Sequence, residues 1–127
     1  MADFATALRG RLTGLAAGTR VYWGMVPQGT AMPYIRLQTI SDDRPTDLDG
    51  YQARREPRVQ ADCFAATYGT ARSLAEAVVA AVATPATVGG VAFGFVRASG
   101  PRDLGEDTSA GFVHRASLDL IVEHRLA

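Results

Sequence analysis

Arg58-Val59-Gln60-Ala61-Asp62-Cys63-Phe64-Ala65, followed by Thr67-Tyr68 and then by Ala71, Leu74, Ala75, Val78 and Val82, is the stretch on which the fold turns. In its first part Val59, Ala61 and Cys63 alternate with Arg58, Gln60 and Asp62. That two-residue period is the mark of a strand with one buried face. In its second part the apolar residues recur at three and four, the period of an amphipathic helix. Pro85 blocks the helix from extending further. The small Ala residues on the apolar face let such a helix lie close against a sheet.

Outward from there the same two periods repeat. Upstream, Phe4, Leu8, Leu12 and Leu15 predict a helix over residues 3–17, with Asp3 to cap its start and Gly18 to stop it. Val21-Tyr22-Trp23 reads as a short strand, and Pro27-Gln28-Gly29-Thr30 as turn chemistry. From Tyr34 to Ile40, Ile35, Leu37 and Thr39 face one way and Arg36 and Gln38 the other. Downstream, Thr87 to Phe93 predicts a hairpin, because Gly89-Gly90 takes the positive φ angles of a tight turn. Its second arm runs through Phe95 and Val96 to about Arg97, residues 100–109 read as a polar loop, and Phe112 to Glu123 is the last strand. The expectation is one α+β domain over residues 1–127, a mostly antiparallel sheet with two helices packed on one face.

Residues 41–57 form the conspicuous gap in this pattern, from Ser41-Asp42-Asp43-Arg44-Pro45 to Arg54-Arg55-Glu56-Pro57. Long loops in compact domains are uncommon and usually functional or mobile. The acidic first half and Arg-rich second half can pair with each other or with a neighbour, and a plain solvated loop fits equally well.

Thirteen cations balance thirteen carboxylates, and every cation is Arg. A dedicated nucleic-acid binder carries a basic excess to neutralise phosphate, so a zero net charge speaks against sequence-wide DNA binding. Arg in place of Lys suits planar ion pairs at interfaces, although the abundant Ala and Gly also point to a GC-rich genome. Cys63 is the single cysteine, so no intrachain disulfide can form, as suits a reducing compartment. The start, Met1-Ala2-Asp3-Phe4, lacks the basic and apolar regions of a signal peptide, and the longest apolar stretch, Ala77 to Ala83, is too short to span a bilayer. The expected setting is the cytoplasm, or something assembled there, with no membrane partner.

Chemistry is hard to find. His114 and His124 lie ten residues apart on one predicted strand; that is roughly 33 Å, too far to share a metal ion. Cys63 falls on an apolar strand face, which suits a core thiol better than a nucleophile. No Ser sits in a Gly-x-Ser-x-Gly elbow, and Gly89-Gly90 with Gly94 lacks the spacing of a phosphate loop. The carboxylate pairs Asp42-Asp43 and Glu106-Asp107 lack the ligand order of a calcium loop and read as solvated turns. Tyr22 and Trp23 can stack on a base or mark a protein contact, but core packing is the commoner use. Catalytic, metal and cofactor-binding residues are therefore all expected to be none.

Three blocks in order carry a resemblance: Arg20-Val21-Tyr22 through Val26-Pro27 to Pro33-Tyr34-Ile35; Arg58 to Ala65 with Thr67-Tyr68 and Ala71-x-x-Leu74-Ala75; and Phe112-Val113-His114-Arg115-Ala116-Ser117-Leu118-Asp119. Together they resemble the tail terminator, or tail-completion, family of siphophages and gene transfer agents. The resemblance implies a non-enzymatic structural virion protein, six copies of which close into a ring on the head-proximal end of the tail tube. It implies as partners other copies of itself, the tail tube protein and a head–tail connector or stopper protein, with double-stranded DNA passing through the lumen without specific binding. The implied place is the virion, at the head–tail junction, after assembly in the bacterial host cytoplasm. Within that frame the long loop is the candidate contact element, through Asp47, Asp49, Arg54 and Arg55. Another head–tail joint protein, a stopper or minor tail protein, shares the same assembly logic. A small ligand-binding or enzymatic α+β domain is the alternative from another class, and it requires a deep pocket with a perturbed titrating group.

Overall fold

The computed structural model describes residues 3–15 and 19–127. Its elements in chain order are α1 (Phe4–Leu12), β1 (Arg20–Trp23), β2 (Tyr34–Asp43), β3 (Thr46–Asp47), β4 (Gly50–Tyr51), β5 (Glu56–Ala65), α2 (Tyr68–Val82), β6 (Ala86–Val88), β7 (Val91–Thr108) and β8 (Gly111–Leu126). Six strands form one sheet in the order β1-β2-β5-β8-β7-β6, and β3 pairs only with β4. Every pairing in the sheet is antiparallel except β1 with β2. The chain is thus α+β with a mostly antiparallel sheet, and both helices pack on the same face, where Leu8, Leu12, Leu74 and Val78 join one core with Ile35, Val59, Leu118 and Leu120.

The helices form where the apolar periods place them. Asp3 caps α1 by accepting from the backbone N–H of Ala5 and Thr6. The helix ends at Leu12, five residues short of the expected end, and the expected stop at Gly18 lies outside the described residues. Thr67 caps α2 through the N–H of Thr70, and Ala71, Leu74, Ala75, Val78 and Val82 are its buried residues. Two of those five are Ala, which brings the helix axis close to β5 and β8.

Two expectations fail at strand ends. Residues 41–57 are not one long loop: β2 continues to Asp43 and β5 starts at Glu56, and the connection between them carries the small β3–β4 hairpin. Residues 100–109 are not a polar loop. They belong to β7, which pairs with β8 from Val91↔Leu126 to Thr108↔Gly111 around a tight turn at Ser109-Ala110. Register shifts between Phe93 and Val96 and between Ser99 and Arg102 break the alternation there. Each bulge moves the phase of the pattern by a residue, which is why the strand looks irregular as text.

Candidate assembly surfaces

The face of the sheet away from the helices carries a polar cluster on apolar neighbours. Asp62, fully buried, meets Arg36 at 3.0 Å and Arg115 at 3.9 Å. Gln60 also donates to it at 3.0 Å. The two guanidiniums lie over the Phe64 ring, 5.3 and 5.9 Å from its centre, and Tyr34 stacks on the same ring at 4.8 Å. One carboxylate thus ties β5 to β2 through a charge-assisted hydrogen bond from Arg36 and to β8 through the longer ion pair with Arg115. Beside it, Phe64, Leu104, Glu106, Val113 and Arg115 line an open cleft of about 210 Å³. On the helix side Trp23 donates its indole N–H to the Ala5 carbonyl and packs on Phe4, so it serves the core, as expected.

The residues expected to make contacts fall into two groups. Asp47 and Asp49 sit at the tip of the β3–β4 hairpin, where Asp47 Oδ1 accepts from the Asp49 N–H at 2.8 Å and Gly50 supplies φ +112°. Leu48, between them, is fully exposed, and Tyr51 nearly so. Arg54 and Arg55 hold the base instead. Arg54 lies 3.4 Å from Glu56 and 4.0 Å from Glu123. Arg55 pairs with Asp42, and its backbone N–H and C=O both bond to His124. The four residues are therefore not brought to one place. Among the described residues the acidic and basic halves pair at the base, and the tip carboxylates make no ion pair.

His124 anchors that base from the core side. Its ring stacks on Phe4 at 4.2 Å. Burial, and then the charge of Arg55, lower its pKa, against the opposing pull of Asp42. A cleft of about 460 Å³ opens beside it, bordered by Asp3, Asp42, Arg55 and Arg125. Cys63 is buried in the core as expected, and desolvation, with the charge of Asp62, pushes its thiol up to about 12. Such a thiol is not a nucleophile at neutral pH. Among the described residues no three His, Cys, Asp or Glu side chains come together in a metal-binding group. No helix of the described chain is long and apolar enough to cross a membrane.

A second extension escaped sequence reasoning. Beyond Ala65↔His114, the last β5–β8 pair, β7 and β8 continue alone as a two-stranded ribbon to their turn. On its helix side Phe112 packs over Gly105, where a Cβ would sit 2.7 Å from the ring, and its edge meets His114 at 4.7 Å. Tyr68 on α2 joins this row and donates to Asp103 at 3.1 Å. Phe112 and Tyr68 are each about half exposed. The signal was present in Phe112 and in Gly105, seven residues earlier, but nothing in the text alone pairs them.

Two extensions with exposed apolar side chains, grown from a well-packed sheet, are the surfaces this fold offers to a partner. The family follows. The model of the tail completion protein gp17 family matches residues 6–123, and the chain belongs to that family. In structure it is similar to a chain of the virion of a native gene transfer agent particle, with a TM-score of 0.61 and 22% identity over 97% of this chain and 93% of that one. No curated protein matches it in sequence.

Proposed function

We propose that this phage tail structural protein caps the head-proximal end of the tail tube as a homo-hexameric ring of single-domain subunits. The ring stops tube elongation and offers the docking surface for the head–tail connector. It acts in the virion after assembly in the host cytoplasm, makes and breaks no covalent bond, and lets DNA through its lumen without gripping phosphate. The zero net charge is in keeping with that last role. The observation that carries the reading is the placement of the two extensions. The β3–β4 loop is bridged to β8 at His124, and the ribbon turns into β8 at Gly111. Thirteen strand residues, roughly 44 Å, separate these points. A subunit with exposed contact elements at opposite ends of strand β8 is suited to engage a different neighbour at each end, as a member of a ring set into a tail requires.

The loop is the element proposed to order against a neighbouring subunit or the tube, through Asp47, Asp49, Arg54 and Arg55. Electron microscopy of particles made without this gene tests the role. Heads without tails beside overlong tubes are expected; normal particles would remove the role altogether. Restoring the gene with residues 44–54 deleted then tests the loop. The expected product is a folded protein that fails to cap tails, and retained capping would sink the assignment of the loop. A protein bound on the portal side without touching the tube would instead be a stopper.

A further inference from the structure

The ribbon formed by β7 and β8 beyond Arg102 and His114 has no strand on either side, since β5 ends at Ala65 and β6 pairs only with Ala86↔Phe93 to Val88↔Val91. A two-stranded ribbon alone is marginal in water and gains from a surface to lie on. This one is also one-signed: Asp103, Glu106 and Asp107 are charged, and no Arg occurs from Asp103 to His114. Asp103 is occupied by Tyr68 and Arg72. Asp107 has no such partner among the described residues, and it is the direct cross-strand partner of the half-exposed Phe112. An aromatic ring and a free carboxylate therefore stand side by side on one face of the ribbon.

The complement lies on the same chain. Arg58, Ile121 and Arg97 are register partners across β5, β8 and β7, and form one row on the face away from the helices. With Ser99 and Asp119 they line a shallow groove of about 190 Å³. Among the described residues neither Arg58 nor Arg97 has an ion-pair partner within 4.0 Å, and Asp119 offsets only one of the two charges. Asp107 is ten residues along β7 from Arg97, roughly 33 Å of strand, so the two cannot meet within one subunit.

We propose that the ribbon of one copy seats on this row in the next copy, with Asp107 between Arg58 and Arg97 and the Phe112 ring against Ile121 and an Arg stem. The occupant is a second copy, because donor and acceptor are both on this chain and are complementary in charge and in apolar content. The contact is heterologous, the kind that propagates round a ring. It rests on the ring reading above, which it deepens by naming the subunit interface.

The test is a cysteine pair, D107C with R97C, introduced into the full chain in assembled tails, with the native Cys63 buried and inert. Oxidation should give a ladder of reducible multimers of this protein, and neither single variant should give one. In parallel, D107R should lower the yield of capped tails by about tenfold or more, as expected for a charge pair turned repulsive at every copy of an interface. D107R combined with R97D should recover most of that loss. Capped tails with no ladder, or a swap that fails to recover capping, would overturn the interface while leaving the capping role intact. A cross-link to the tube protein would also overturn it, by making the tube the partner of the ribbon. Failure of the wild-type gene to cap tails at all would instead strike the functional reading beneath it.

Discussion

The two extensions solve the same problem in different ways. The connection from Arg44 to Arg55 is held to the sheet by one backbone bridge, Arg55 to His124, and otherwise by side chains: Asp42 to Arg55, Arg54 to Glu56, and an Asx turn at Asp47. Its own ladder is only Thr46↔Tyr51 and Asp47↔Gly50. The β7–β8 ribbon leaves the sheet as an unbroken ladder, with its side chains stacked from Ala116 in the core out to Phe112 at the tip. Ion pairs between partly exposed groups contribute little each and weaken with salt. A ladder rooted in a core inherits the stability of that core. The loop is thus built to rearrange at low cost, and the ribbon to keep its direction.

The largest expected effect lies where the ribbon joins the sheet. Asp62 is cross-strand neighbour to Ser117, and holds Arg36 and Arg115 on either side. Replacing it with Ala leaves two guanidiniums facing each other without their counter-ion. Because both Arg side chains keep partial access to water, the loss belongs at the low end for a broken buried pair, about 3 kcal/mol. Urea unfolding should read that loss, and hydrogen exchange should rise first in the ribbon, not in the loop. An Asp62→Ala protein that unfolds at the wild-type midpoint would show that the ladder alone holds the root, and the contrast drawn above would lose one of its terms.

A smaller effect, on the loop side, is set by pH. His124 stacks on Phe4 and carries both backbone bonds of Arg55, and its pKa is lowered below 6.5 by burial and then by Arg55. The folded state therefore prefers the neutral ring. Its contribution is fully present above pH 6.5 and is lost as the pH falls from there through the folded value. Acidification in that window should loosen the base of the loop before the ribbon, as read by exchange at Arg54 and Arg55. His124→Phe keeps the stacking ring and removes the proton, so its stability should not fall over the same window through this group. An unchanged slope in that variant would move the pH dependence to another residue.

How much of this was legible in the chain follows from the same contrast. The segment from Arg58 to Val82 could be read because each residue serves one period, two for β5 and 3.6 for α2, with Ala and Val where the elements touch. Asp62, however, looks in the sequence like any outward strand residue. Only the sheet reveals that it is buried, because Arg36 and Arg115 come from strands distant in sequence. The ribbon was invisible for a physical reason. Gly100, Pro101, Gly105 and the three acidic residues Asp103, Glu106 and Asp107 depress strand propensity, and two bulges shift the phase, yet the partner strand overrides both. Gly100 is used there because its φ of +109° and a backbone oxygen 2.9 Å from any Cβ exclude other residues. Residues 44–55 read correctly as a connection, because Pro45, Asp47, Asp49 and Gly50 are turn chemistry on both counts. The pairing of Arg54 and Arg55 with the base instead of the tip had no local signal, since Glu123 and His124 lie far along the chain.

The smallest effect separates contact from stability at the tip of the loop. Asp49 is exposed, has no ion-pair partner among the described residues, and lends only its backbone N–H to the turn. Asp49→Ala should shift the unfolding free energy by no more than about 0.5 kcal/mol, as surface substitutions away from special features do. If the tip acts only by touching a neighbour, the same variant should still lower the fraction of capped tails, and adding salt should lower the wild-type fraction toward it, because a contact made through an exposed carboxylate is screened. The ribbon provides the control. Its Phe112 contact is largely apolar, so the loss of capping in a Phe112→Ala protein should vary little with salt. Equal salt dependence of the two variants would mean that loop and ribbon engage the same kind of surface, and the division of labour between them would have to be redrawn.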